Sequence, residues 1–235
     1  MSRPFVSVLT PTYNRVQYFS RLIDCYRAQI YPKTYMEWII LDDGQESCKT
    51  ILETEAKDLP NIRYIQHIEK LNIGEKRNIL NKEARGTIIV CMDDDDYYSP
   101  YRVSHVVEMF AKNPKIQLAG SSEMYMYYID SKKIYKLGPY GPKHATNGTL
   151  AYRAAYGKTH TYDESVIFAE ERSFLEEYVH PMIQLDSKKV MLVMSHSENT
   201  FDKDVLRNKD SPYVKLTTLT LEDFIPEPLK NKFLA

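Results

Sequence analysis

Cysteine is scarce: three residues in 235, at Cys25, Cys48 and Cys91. An odd number without metal-like spacing argues against a disulfide framework or a thiolate metal centre. Their apolar neighbours read all three as reduced core thiols. Charge of one sign is also missing. The net charge is −1, with basic and acidic residues scattered, which removes the electrostatic footprint of a nucleic-acid binder. No apolar run approaches the roughly 20 residues of a membrane helix. The opening MSRPFVSVLT enters a strand at once, without the apolar core of a signal peptide. Internal repeats and low-complexity segments are absent too. The Asn147-Gly148-Thr149 sequon is discounted without a secretory signal. What remains is a 43% hydrophobic globular chain, long enough to bury a full core as one domain and expected in the cytoplasm.

The stretch with most information is Thr87 to Pro100, TIIVCMDDDDYYSP. Its apolar run Ile88–Met92 suits a strand buried on both faces of a parallel sheet, whose carboxyl end opens onto a ligand crevice. If the chain stays extended past Met92, Asp93 and Asp95 point one way and Asp94 and Asp96 the other. Adjacent carboxylates repel one another unless a cation lies among them. Hard oxygen donors favour Mg²⁺ or Mn²⁺ over softer metals.

Strand and helix alternate through the first half. Phe5–Thr10 is a strand, and Val16, Phe19, Leu22, Ile23 and Tyr26 give helical spacing over residues 15–29. Trp38–Leu41 is a second buried strand, running into Asp42, Asp43 and Gly44. Cys48, Ile51 and Leu52 mark a short helix, Ile62–Gln66 a third strand, and residues 74–84 a helix carrying Lys76 and Arg77. After the aspartates, Ser99-Pro100 reads as an N-cap and first helical position. Val103, Val106, Val107 and Phe110 continue that helix, and residues 116–119 form another strand. Four strand–helix alternations predict an α/β, mostly parallel doubly wound sheet flanked by helices. The second half differs. Residues 123–129 and 133–137 predict a hairpin, residues 138–148 a Gly- and Pro-rich loop, and residues 170–179 a helix with Phe174, Leu175, Tyr178 and Val179 inward. Residues 190–194 predict a strand, followed by a polar segment over residues 196–210.

These segments resemble the inverting family-2 glycosyltransferases of the GT-A fold. VSVLTPTYNR looks like that family's first strand and turn, and IILDDGQ like its second strand. NIGEKRNILNKEARGTIIVCMDDDD resembles the glycine–arginine–asparagine helix leading into a DXD motif. YDESVIFAEERSFLEE is similar to the stretch carrying the catalytic carboxylate, and VMSHSENTF to a late histidine segment. All five occur in the family's order. The resemblance implies a Rossmann-like sheet in a single domain over 1–235. Residues 1–120 would bind the nucleotide sugar, and residues 121–235 would bind the acceptor and carry the base.

It also implies roles. Asp95 is the expected metal ligand, with Asp93 on the ribose or a metal-bound water and Asp94 at the variable position. His196 is expected on the metal or the diphosphate. Thr10, Tyr13 and Arg15 join the nucleotide contacts, with Tyr13 stacked on the base. Asp42 and Asp43 suit base and ribose, because a carboxylate accepts from N–H and hydroxyl groups. Arg77 is expected near phosphate. Glu171, with Glu170 beside it, is the expected general base for the acceptor hydroxyl. Two positions depart from the family: Glu171 stands where aspartate is usual, and Lys76 where a small residue is usual. The tyrosines at 125, 127, 128, 135, 140, 152 and 156 are expected to include an acceptor-binding face, since rigid rings suit sugars.

The expected partners are a nucleotide-sugar donor, UDP-linked, and a hydroxyl acceptor, with Mn²⁺ or Mg²⁺ as cofactor. Two alternatives stay open at this point: a nucleotidyltransferase that makes nucleotide sugars, and a non-catalytic sugar- or nucleotide-binding protein. PTYNR lacks the glycine-rich loop usual in the first, and the intact acidic motifs weigh against the second.

Overall fold

The computed structural model describes residues 3–196, 199, 203–208 and 210–234. Much of the VMSHSENTF segment, namely Ser197, Glu198, Thr200 and Phe201, therefore lies outside the described residues. The strands are β1 (Val6–Thr12), β2 (Met36–Asp42), β3 (Ile62–Gln66), β4 (Ile88–Cys91), β5 (Tyr97–Tyr98), β6 (Leu118–Gly120), β7 (Met124–Tyr128), β8 (Lys133–Leu137), β9 (Ala151–Arg153), β10 (Met182–Gln184), β11 (Met191–Ser195) and β12 (Val214–Leu216). The helices that bear on the site are α1 (Val16–Ala28), α2 (Lys49–Glu55), α3 (Ile73–Glu83), α4 (Arg102–Lys112), α5 (Ala154–Gly157) and α6 (Glu171–Phe174).

A seven-stranded sheet runs β10-β6-β9-β4-β1-β2-β3. The first four strands in sequence pair in parallel, and β9 is antiparallel to both neighbours. This is the expected mostly parallel α/β sheet. β1, β2 and β4 are buried along their whole length, so their apolar runs need no alternation. α1 covers one face with Phe19, Leu22, Ile23 and Tyr26, and the Tyr26 ring stacks on Trp38 at 4.7 Å. A second sheet, β12-β8-β7-β11-β5, contains the expected hairpin β7–β8.

Four expectations need correction. Past Cys91 the chain bends instead of staying extended, so the aspartates do not alternate. Helix α4 begins at Arg102, and Ser99 and Pro100 form the preceding turn, in which the Arg102 amide donates to the Ser99 carbonyl at 2.9 Å. That turn is pinned from outside, because the Pro100 carbonyl accepts from the Ile30 amide at 3.0 Å.

The helix expected over 170–179 is only the four residues of α6. Beyond it Glu176, Glu177 and Tyr178 all have positive φ (46°, 57° and 60°), a conformation costing about 1–2 kcal/mol per non-glycine residue. The core holds it there: Phe174 and Leu175 are both fully buried, and Tyr162 stacks on Phe174 at 4.2 Å. Val179, expected inward, is exposed.

Five of the seven tyrosines expected to include an acceptor face are core residues. Tyr125, Tyr127 and Tyr128 are buried because both faces of β7 are covered, Tyr152 and Tyr156 are buried on β9 and α5, and Tyr135 is half-buried and Tyr140 exposed. The expected tyrosine acceptor face does not form from the buried five.

Candidate active site

The carboxyl ends of β1 and β4, the start of α3 and the α6 segment enclose a cavity of about 700 Å³, within the range of a nucleotide-sized ligand. Tyr13, Arg15, Lys70, Lys76, Arg77, Asp93–Asp96, Glu170 and Glu171 line it. It therefore gathers residues from both halves of the chain.

Helix α3 organises one wall. Asn72 and Glu75 form a capping box at its start. Gly74, Arg77, Asn78 and Asn81 follow at i, i+3, i+4 and i+7, one face of a helix. A Cβ on Gly74 would stand 2.2 Å from the Asp163 carbonyl oxygen, so glycine permits the segment before α6 to lie on the helix. Asn78 fixes that segment from both sides: its Oδ1 accepts from the Tyr162 amide, and its Nδ2 donates to the Tyr162 carbonyl, both at 2.9 Å. Arg77 completes the join. It donates to Glu170 Oε1 at 2.7 Å and to Asp93 Oδ1 at 3.0 Å. A residue that would ordinarily be a solvated surface charge is here 6% exposed and holds two carboxylates from distant segments.

The two adjacent glutamates live in different surroundings. Glu170 precedes the first helical residue and also accepts from Asn147 Nδ2 at 2.7 Å. Burial pushes its carboxyl up, but Arg77 and the Asn147 amide outweigh this and hold it below the usual value. Glu171 has burial and the Glu170 charge against ionisation, and its pKa rises to about 7.

The four aspartates diverge. Asp94 Oδ1 and Asp95 Oδ2 share the Arg15 guanidinium at 3.2 and 2.7 Å. Asp95 Oδ2 also accepts from Asn199 Nδ2 at 3.0 Å and lies 3.4 Å from His196 Nε2. Although Asp95 is buried, His196, Lys203 and Arg15 hold its pKa below the usual range. Asp94 and Asp96 are raised to about 7 by burial and by the Asp95 charge. Asp96 Oδ1 accepts from the Met194 amide at 2.8 Å, which ties the motif to β11.

Some expected nucleotide contacts lie behind the cavity wall. Thr10 is fully buried, accepting from Trp38 Nε1 and donating to the Met92 carbonyl. Asp42, also fully buried, accepts from the Gly44 and Cys48 amides and the Tyr64 hydroxyl. Those bonds build the turn after β2 and leave neither residue a free face. Asp43 sits beneath Lys76, its carboxylate shared between the Lys76 ammonium and the Leu71 amide. Of the expected ligand set, Asp95 and His196 stand together, and Asp93 is held apart. Asp93 faces Arg77, Asp95 faces Arg15, and the His196 ring, 4.9 Å from Tyr18, packs beside Asp95. Sequence reading missed Asn147, Asn199, Lys70 and Lys203. Asn147 drew attention only as a sequon, and Asn199 and Lys203 fall in a stretch read as merely polar.

The pattern of glycosyl transferase family 2 matches residues 7–177, from β1 through α6. The chain belongs to that family. Among relatives, the poly(ribitol-phosphate) β-N-acetylglucosaminyltransferase TarS of Staphylococcus aureus is 29% identical over 92 residues, 39% of this chain and 16% of that protein. The chondroitin synthase of Escherichia coli is 31% identical over 111 residues, 47% of this chain and 16% of the relative. The chain thus aligns with only about a sixth of the length of either.

Among solved structures, TarS residues 1–349 with UDP-GlcNAc superimposes with a TM-score of 0.69 at 20% identity, covering 83% of this chain and 59% of that one. The mannosyltransferase PcManGT of Pyrobaculum calidifontis, in complex with GDP-Man and Mn²⁺, gives 0.68 at 13% identity, covering 100% of this chain and 70% of the other. At these identities the likeness is one of fold, and it gives this family member the GT-A architecture. No helix among the described residues is long and apolar enough to cross a membrane.

Proposed function

We propose that this chain is a metal-dependent, inverting glycosyltransferase that moves a sugar from a UDP-linked donor to a hydroxyl acceptor. One observation carries the reading: two adjacent glutamates, driven apart in acidity, face the same cavity as an aspartate cluster. Paired titratable groups split in this way mark acid–base roles. A base whose pKa lies near 7 is ionised for much of the population at neutral pH yet still takes a proton readily.

Glu171 is the base in this proposal. On a helix, consecutive side chains diverge by about 100°, and Glu170 is committed to Arg77 and Asn147. As the acceptor oxygen bonds to the anomeric carbon, the bond from that carbon to the diphosphate breaks, and the hydroxyl proton passes to a Glu171 oxygen. Attack from the face opposite the leaving group inverts the configuration. Glu170 holds Arg77, and with it α3, against the base segment.

The aspartates fit a hard divalent ion. Asp94 and Asp95 already surround a cation, the Arg15 guanidinium, and burial together with the Asp95 charge disfavours ionisation of Asp94 and Asp96, a penalty that a bound cation would offset. Mg²⁺ and Mn²⁺ take one or two carboxylates and complete their shell with phosphate oxygens and water, so a convergent protein cage is not needed. Asp95 is the proposed ligand, with Asp93 and His196 beside it. When bound, the ion neutralises charge on the leaving diphosphate. Arg15, Lys70 and Lys76 add positive charge along the same wall, and Tyr13, which has the Lys70 ammonium 4.4 Å from its ring centroid, offers a face to the base. Residues 1–120 would hold the donor and residues 121–235 the acceptor side, where exposed Ile167 and Phe168 stand at the cavity rim. Three buried thiols support a reducing, cytoplasmic setting.

Calorimetry of UDP and GDP, each with Mn²⁺ and with EDTA, tests the proposal. UDP should bind at least about ten-fold more tightly with metal, the scale of a metal-shell contact, and Asp95→Asn should abolish that increment. Equal affinity with and without metal would remove metal dependence. Preference for GDP would overturn the UDP assignment.

A further inference from the structure

A cluster of side chains of metal-ligating type lies outside the cavity. His160 follows α5, and Glu176 and His180 follow α6. Their ligand atoms all lie within 4.8 Å of one another, and none of the three residues lines the cavity. Glu176 stands between the rings, with Oε2 at 2.8 Å from His180 Nε2 and Oε1 at 3.6 Å from His160 Nε2.

We propose that His160, Glu176 and His180 form a zinc site that clips the turn after α5 to the turn after α6. The ring orientation is already set. His160 Nδ1 lies 3.1 Å from the Tyr156 carbonyl oxygen. The Thr159 hydroxyl lies 2.9 Å from the same nitrogen, so Nδ1 is taken up by local partners and Nε2 is the nitrogen that faces Glu176. A metal-binding histidine characteristically makes this bond through its other nitrogen. The Tyr156 ring lies flat on His160 at 3.7 Å between centroids and edge-on to His180 at 5.5 Å, which limits both imidazoles to small motions.

Geometry and donor type both favour zinc. Bonds of about 2.1 Å in a tetrahedral arrangement place ligand atoms about 3.4 Å apart. The two histidine nitrogens stand 2.8 and 3.6 Å from the two different oxygens of Glu176, with one ligand atom of each residue within 4.8 Å of the others, so small side-chain rotations would bring three donors to that spacing. Two imidazoles and one carboxylate suit a borderline ion, whereas Mg²⁺ and Mn²⁺ prefer oxygen. The two metal sites therefore take different ions. With side-chain exposures of 20, 55 and 32% for His160, Glu176 and His180, the cluster leaves the fourth position to water. The clip would hold Glu176, the first of three consecutive left-handed residues, five positions after the proposed base.

Metal-stripped full-length protein, without nucleotide, is titrated with Zn²⁺ by calorimetry and with Co²⁺ by visible spectroscopy. The proposal expects one Zn²⁺ per chain and a tetrahedral Co²⁺ spectrum. His160→Ala and His180→Ala should each weaken Zn²⁺ by about 100-fold or more, beyond the cost of losing an outer contact. Asp95→Asn should leave Zn²⁺ binding intact while losing the Mn²⁺ effect on UDP, so this proposal and the functional one fail separately. Histidine NMR of the wild type gives a readout that no folding defect confuses: Zn²⁺ should shift the His160 and His180 ring signals and spare those of His105 and His144. Zn²⁺ affinity unchanged in both histidine variants, loss of the site in Asp95→Asn, or no binding at about 0.1 mM, well above the range of a working site, would each overturn it.

Discussion

Replacing Glu171 by glutamine should make the protein more stable and less active at once, in a pH-dependent way. The carboxyl's ordinary value is 4.5, and in the fold it is about 7. Between those values the folded state binds the proton more tightly than the unfolded chain does. The stability this group contributes is therefore fully present below 4.5 and is lost as pH rises through about 7. The interval, at about 1.4 kcal/mol per pH unit, amounts to about 3 kcal/mol. Glutamine keeps the shape and never ionises. Glu171→Gln should match the wild type near pH 4 and exceed it by up to about 3 kcal/mol at pH 8, measured by urea denaturation.

Turnover should fall by about 10²–10⁴-fold, with UDP affinity unchanged. The wild-type acid limb in kcat/KM should fall near pH 7, because the base must be ionised to act. Glu170→Gln should behave differently. It removes one of the two carboxylates on buried Arg77, and breaking a buried pair costs about 3–5 kcal/mol, less here because Asp93 stays. A Glu171→Gln enzyme that keeps its turnover, or is less stable than the wild type at pH 8, would refute the reasoning. If Glu170→Gln alone is inactive while folded, the base is the neighbouring residue.

Asp43 should act on the nucleotide through Lys76 rather than by touching it. Asp43→Ala should weaken UDP binding by about 1–3 kcal/mol, yet add little in a Lys76→Ala background; additive losses in that double-mutant cycle would mean direct contact. Gly74→Ala should destabilise by about 1–3 kcal/mol, since its new methyl would overlap the Asp163 carbonyl. It should reduce turnover more than UDP affinity, because the displaced segment carries the base. A fully active and stable Gly74→Ala enzyme would disprove the docking role.

The first half of the chain was legible because its signals are local. Short apolar runs mark β1, β2 and β4, the last two running into acids, and the helical spacing of Phe19, Leu22, Ile23 and Tyr26 marks α1. Each of those patterns is complete within about 15 residues. The segment around the proposed base was not legible, since EERSFLEE satisfies a helix as well as it satisfies one turn of helix. What ends α6 is the burial of Phe174 among Tyr152, Tyr156 and Tyr162, a demand from residues 12 to 22 positions upstream. Tertiary packing of this kind overrides propensity. The four aspartates misled for a related reason. Their directions are set by Arg15, Arg77 and the Met194 amide, and none of these is a neighbour in sequence.

Helix α3 shows how such a residue can still be weighed. Its apolar signal is weak, and Arg77, Asn78 and Asn81 would pass for a solvated face. A solvated face, however, does not require a glycine in its first turn, where glycine costs about 1 kcal/mol against alanine. Gly74 on the same face as three polar residues is the signature of a backbone lying against the helix. Buried polar side chains must then find partners, and here they find Tyr162, Glu164, Tyr152 and Glu170. The helix with the weakest apolar signal is therefore the part that fixes where the proposed base stands. Arg77 makes this coupling electrostatic as well as steric, because one guanidinium neutralises Asp93 of the aspartate run and Glu170 beside the proposed base. A change at either carboxylate must be felt at the other.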